Sequence, residues 1–106
     1  MTIARDTVKA LSLDLSIAKE DIIIFDEYIK EGYGILNKEV SDALRFVAIK
    51  EGIFLDPVYT GKAMAALIDL VKKGYFKKED TIVFFHTGGT PAIFPNKQHL
   101  VNLLKK

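Results

Sequence analysis

Two four-residue apolar runs, Ile22-Ile23-Ile24-Phe25 and Ile82-Val83-Phe84-Phe85, constrain this chain's fold more than any other feature. Both are continuous rather than alternating, and both are built from β-branched and aromatic residues. That is the pattern of a strand covered on both faces, as in a parallel sheet flanked by helices. Helical periodicity lies between them. Val40, Ala43, Leu44, Val47 and Ala48 fall at i, i+3, i+4, i+7 and i+8, one apolar stripe, with Asn37 placed to cap the start and Gly52 to close the end. A second helix is expected from near Thr60–Lys62 to Gly74. Its Ala63 to Val71 portion is apolar on most sides, so deep packing is expected. Looser patterns predict a helix over Ile3 to Leu13, a connection at Ser16 to Glu20, and a last helix over Lys97 to Leu104 behind Pro95 and the cap Asn96. Strands alternating with helices give the expected class: α/β, mostly parallel strands flanked by helices.

At 106 residues the chain is one domain at most, since domains commonly run roughly 100–150 residues. Fifteen basic against fourteen acidic residues leave a net charge of +1, which gives nucleic acid or an acidic membrane no electrostatic reason to bind. There is no cysteine, so disulfides, thiolate metal sites and cysteine nucleophiles are excluded together. The longest apolar runs fall far below the roughly 20 residues that span a bilayer, and the N-terminus has no secretory pattern. The expectation is a cytoplasmic, globular chain with no membrane partner.

Ligands of open α/β sheets bind beyond the carboxyl ends of the strands, which points first to His86-Thr87-Gly88-Gly89-Thr90. Paired glycines let a backbone approach a ligand closely and offer N–H groups, and flanking hydroxyls donate or accept. The same composition also makes an ordinary turn. Asp56-Pro57-Val58-Tyr59-Thr60-Gly61-Lys62 leads into a helix start, where Thr60 is either a ligand-facing hydroxyl or simply the N-cap. Lys62 is not a phosphate-loop lysine, because Asp56 stands where the first glycine of that motif belongs. Tyr33, between Gly32 and Gly34, is an aromatic on a loop, suited to facing a ligand or to packing. His86 and His99 show no metal-ligand spacing, so no metal is expected.

Three segments together resemble the D-cysteine desulfhydrase and 1-aminocyclopropane-1-carboxylate deaminase family: Glu31-Gly32-Tyr33-Gly34, the stretch from Glu51 through Asp56-Pro57-Val58-Tyr59-Thr60-Gly61-Lys62 to Met64, and Phe85 through Thr87-Gly88-Gly89 to Ala92. The similarity runs from near residue 5 to about Phe94 and matches in order and spacing. It implies the C-terminal part of the large domain of a tryptophan-synthase β-like enzyme that uses pyridoxal phosphate. Residues 1–106 would then form a single partial domain, with the lysine that carries the cofactor supplied by a portion this chain does not match. Lys62 matches an accessory lysine of the family, not that one.

The resemblance also implies roles. Tyr59 and Tyr33 would face the substrate side as catalytic residues, and Thr60 would lie by the cofactor's pyridine nitrogen, with Thr87 and Gly88 as neighbours. Deaminases of the family carry glutamate and leucine where this chain has Thr60 and Thr87, and desulfhydrase-like members carry hydroxyl residues. A carboxylate beside the ring nitrogen holds a proton there and strengthens the electron sink, whereas a hydroxyl does so less. The threonine pair therefore favours β-elimination of a thiol from a small amino acid over opening a cyclopropane. Departures from the family pattern, Leu36 for proline and Pro91 to Asn96 at the end, affect loop shape more than chemistry. The rival expectation is a non-catalytic interaction or assembly module derived from the family. Either way the exposed apolar runs predict a partner: a second copy, or a complementing N-terminal portion.

Overall fold

Among the described residues the α-helices are α1 (Thr2–Ala10), α2 (Lys38–Glu51), α3 (Thr60–Lys72) and α4 (Lys97–Leu104). The computed structural model describes residues 2–29, 32 and 35–105. Short 3-10 turns at Lys19–Asp21, Asp26–Ile29 and Thr90–Ile93 punctuate the connections. Tyr33, one of the two expected substrate-facing tyrosines, lies outside the described residues.

α2 forms where the apolar stripe places it. The Asn37 side chain accepts from the Val40 N–H at 3.0 Å, and the helix stops at Gly52, whose φ of +67° is reached without strain only by glycine. The stripe buries Val40, Ala43, Leu44 and Val47, which join Leu36, Leu55 and Leu100 in the core. Met64, Ala65, Phe84, Ile93 and Leu103 pack around this cluster. Gly61 sets how closely α2 and α3 approach, for a Cβ there would sit 2.3 Å from Leu44 Cδ1 and 2.6 Å from the Asp56 carbonyl oxygen.

The expected sheet is not present: among the described residues there is no strand. Ile22 has extended backbone, and residues 81–89 run without regular structure, so neither apolar run belongs to a ladder among the described residues. A strand exists only through pairing, and a lone two-stranded unit is marginal in water. The apolar composition of these runs therefore reports a disposition to be covered, which this chain does not meet by itself. Ile24, Val83 and Phe85 are 77%, 73% and 81% exposed.

α3 departs from expectation in the same way. Only Thr60, Gly61 and Leu70 are buried along it, and Val71 is exposed, so its broad apolar face is half covered rather than deeply packed. The last helix has its expected bounds but not its expected cap. Asn96 makes no cap hydrogen bond and instead donates from Nδ2 to the Ala92 carbonyl at 2.8 Å. No described helix is long and apolar enough to cross a membrane.

Candidate functional site

The start of α3 is built on one carboxylate. Asp56 is 1% exposed, and its Oδ2 accepts from the backbone N–H groups of Val58 and Tyr59, both at 2.7 Å. Its Oδ1 accepts from the Thr60 N–H at 2.7 Å and from the Thr60 hydroxyl at 2.6 Å. These are the donors that a helix start leaves without intrahelical partners, and Asp56 satisfies them from four residues upstream. Thr60 is accordingly the first residue of α3 and not its cap. Burial pushes the Asp56 carboxyl up, but the Thr60 hydroxyl and the N–H groups of Tyr59, Thr60 and Val58 outweigh it and hold the carboxyl below its ordinary range.

The glycine-rich loop comes to the same place. His86 Nε2 lies 2.9 Å from the Phe54 carbonyl oxygen, and the Thr90 hydroxyl donates to that oxygen at 2.9 Å. His86 Nδ1 accepts from the Gly88 N–H at 3.1 Å, so the ring hydrogen is on Nε2 and donates to Phe54. His86 is thus a strut between two loops. The Gly88 N–H, expected to be open to a ligand, is taken by His86. What Gly88 contributes instead is a φ of +93° and open space where a side chain would project. Gly89, at φ +86°, packs so closely on Asp56 that a Cβ would stand 3.0 Å from both its Cβ and Cγ.

Thr60 and the loop of Thr87 therefore meet at Asp56. Tyr59 and Thr87 are exposed beside them, while Thr60 is buried. Lys62 reaches the other way, donating from Nζ to the carbonyls of Ile29 and Gly32, which ties those two residues to the first turn of α3. That ammonium is committed to backbone. The cluster brings together a buried hydroxyl, an exposed tyrosine and a side-chain-free turn, and the described lysine nearest to it in the chain, Lys62, is bound to backbone carbonyls.

A cleft lies elsewhere among the described residues. It holds about 600 Å³ between α2 and α3, with Tyr28, Phe46, Ile68 and Asp69 in its walls and none of Tyr59, Thr60, Thr87 or Gly88. There the Tyr28 hydroxyl donates to Asp69 Oδ2 at 2.6 Å, and Lys73 pairs with the same oxygen at 2.6 Å. The bond to Asp69 raises the Tyr28 hydroxyl above its ordinary value, and Lys73 is the first cause lowering Asp69. This cluster ties the 26–29 turn to the end of α3 and presents no catalytic pairing. No group of three or more metal-ligating side chains occurs among the described residues.

Asp56 is the residue that sequence reasoning missed. Asp-Pro four residues ahead of a helical threonine is an Asx-turn and cap signature, and it was legible had the cap been sought upstream of Thr60.

Two comparisons place the chain among known proteins. The family model for pyridoxal-phosphate dependent enzymes matches residues 1–88. Among solved structures, the crystal structure of an ACC deaminase homologue superposes with a TM-score of 0.80 at 34% sequence identity, covering 96% of this chain and 30% of that one. The chain thus spans under a third of the length of the protein it resembles.

Proposed function

The chain belongs to the family of pyridoxal-phosphate dependent enzymes, and from that premise we propose that it supplies one wall of the cofactor site of a D-cysteine-desulfhydrase-like lyase, completed by a lysine-bearing portion that these 106 residues do not match. Pyridoxal phosphate, when bound, supplies the electron sink for chemistry at an amino acid's α-carbon. In this reading Thr60, Thr87 and Gly88 hold the ring, and Tyr59 and Tyr33 address a small amino-acid substrate. The observation that carries it is the meeting of the Thr60 and Thr87 loops at Asp56, far apart in sequence and joined through Phe54, His86 and Gly89. Hydroxyls at both positions favour elimination of a thiol over ring opening of 1-aminocyclopropane-1-carboxylate.

Co-purification with the lysine-bearing portion of a family member tests this. The expected result is visible cofactor absorbance that neither part gives alone, with sulfide released from D-cysteine faster than ammonia from 1-aminocyclopropane-1-carboxylate. The isolated chain should release no sulfide, since Lys62, the described lysine next to Thr60, matches an accessory lysine of the family and is bound to backbone carbonyls. Turnover by the pure chain, or the reverse substrate preference, overturns the reading.

A further inference from the structure

We propose that His86 is a proton-operated latch on the Thr87-Gly88 turn: the neutral imidazole holds the turn against the Phe54 segment, and the protonated one releases it.

Three contacts define the latch. Nδ1 accepts from the Gly88 N–H at 3.1 Å, Nε2 faces the Phe54 carbonyl oxygen at 2.9 Å, and the Thr90 hydroxyl donates to that same oxygen at 2.9 Å. A carbonyl oxygen only accepts and a backbone N–H only donates, so the ring must donate on one side and accept on the other. One form of imidazole does both in this order, the neutral ring with its hydrogen on Nε2. Protonation puts a hydrogen on Nδ1 as well, and two donors then face each other. The Gly88 arm is lost while the Phe54 arm is kept, because an imidazolium still donates from Nε2.

The part released is small and bounded. Gly89 stays seated on Asp56, where a Cβ would stand 3.0 Å from both Cβ and Cγ, and Thr90 stays bonded to Phe54. Gly88 is exposed, and a Cβ there would meet nothing within 4 Å, so packing does not replace the lost bond. His86 is exposed too, which leaves the ring open to protons from water. Imidazole is the side chain that takes up its proton between roughly pH 8 and pH 5. The segments the ring joins, residues 52–57 and 87–90, carry one titratable group between them, Asp56. Its carboxyl lies below the ordinary carboxylate range and changes state at lower pH, clear of that window. Resting on the reading of this wall as the cofactor site, the neutral latch is the state that keeps Thr87 and Gly88 in place.

The test uses the full 106-residue chain, isotope-labelled for NMR. At the upper end of the window the ring nitrogens should report a hydrogen on Nε2 and none on Nδ1, with the Gly88 amide protected from exchange. On acidification the Gly88 rate, corrected for intrinsic chemistry, should rise roughly two- to tenfold, as one hydrogen bond supports, with the midpoint of the His86 ring. His86→Asn should keep the protection and flatten the profile, because an amide oxygen takes the place of Nδ1 and does not titrate. His86→Phe should leave Gly88 fast at every pH, and His99→Gln should leave the profile as it is. A Gly88 rate indifferent to pH while the His86 ring titrates overturns the inference. So does a hydrogen on Nδ1 of the neutral ring, or the parent's profile surviving in His86→Asn. If His86→Phe does not fold, the parent and His86→Asn still decide it. Failure of the cofactor reading shows separately, as no visible absorbance on reconstitution while the Gly88 profile persists.

Discussion

Lys62, in the first turn of α3, donates to the carbonyl of Gly32, thirty residues earlier in the chain, and so fastens Gly32 to the helix that begins at Thr60. The ammonium also reaches the Ile29 carbonyl at 3.3 Å, which makes it a two-point clamp on Ile29 and Gly32. Replacing Lys62 by Met keeps much of the stem and removes the donors. Hydrogen exchange at the Gly32 amide should quicken, while α2 and the middle of α3 keep their protection. Global stability should fall by only about 1 kcal/mol, as for a solvent-accessible hydrogen bond. Exchange unchanged at Gly32 would mean the clamp does not hold this residue.

Gly61 should be intolerant of any side chain. A methyl there meets Leu44 Cδ1, which can shift, and the Asp56 carbonyl oxygen, which is held by the Gly61 N–H at 2.8 Å and cannot. Gly61→Ala should destabilise by about 1–3 kcal/mol despite the better helix propensity of alanine, because overpacking outweighs the roughly 1 kcal/mol that propensity returns. Denaturant unfolding of the two proteins reads the sign directly.

The helices were legible because their information is local. Asn37, the stripe from Val40 to Ala48, and Gly52 specify α2 within sixteen residues, and the structure follows them. The strands were not, because Ile22 to Phe25 and Ile82 to Phe85 encode apolarity on both faces, and pairing partners are a property of the surroundings. Of the candidate site, the two loops that carry Thr60 and Gly88 could be picked out from their polar and glycine-rich composition, but the Asp56 carboxylate that joins those loops acts through bonds to backbone, which leave only the faint Asp-Pro spacing as a trace.

Acid should loosen the start of α3 before the core. Asp56 titrates below the ordinary carboxylate range in the folded chain, so its contribution is fully present above the unfolded value of about 4 and is lost as pH falls through the lower folded value. Amide exchange at Val58, Tyr59 and Thr60 should rise in that window, corrected for intrinsic rates. Asp56→Asn should show the loosened state at neutral pH, because an amide nitrogen cannot accept from those N–H groups. A flat profile at the three amides would show that the cap is not carried by the carboxylate.

Ser41 offers the opposite sign. Its residue is wholly buried on α2, and its Oγ has no hydrogen-bond partner among the described residues. An unsatisfied buried hydroxyl is unfavourable relative to a methyl of similar size, and alanine is the better helix former. Ser41→Ala should therefore stabilise the chain by up to about 1 kcal/mol, read as a higher midpoint of denaturant unfolding with an unchanged slope. Destabilisation would mean that the hydroxyl does have a partner, and that it matters.

The chain should associate, and the argument rests on area. Its accessible surface is 8240 Å², against roughly 5,900 Å² expected for a compact monomer of this mass. The radius of gyration, 16.2 Å, likewise exceeds the roughly 13 Å of a compact domain this size. The excess, roughly 2,300 Å², is well above the roughly 800 Å² that each partner contributes to a standard protein–protein interface. Ile23, Ile24, Val83, Phe85 and Phe94 contribute apolar surface to it, each being mostly exposed. At about 25 cal/mol per Å², burying several hundred Å² of such surface drives association by on the order of 10 kcal/mol before the losses of motion that binding entails. Extended segments with unused backbone donors and acceptors add a directional component, since they can pair as strands with a second copy or with a complementing portion. Sedimentation velocity should show a concentration-dependent shift from monomer to dimer or larger species. Replacing Val83 and Phe85 together by lysine should abolish the shift without lowering the monomer's helix content, because both side chains are already exposed. Adding the lysine-bearing portion of a family member should compete with self-association for the same surface. A monomer that stays monomeric at high concentration, with amides 81–85 protected from exchange, would show that the chain covers these segments by itself.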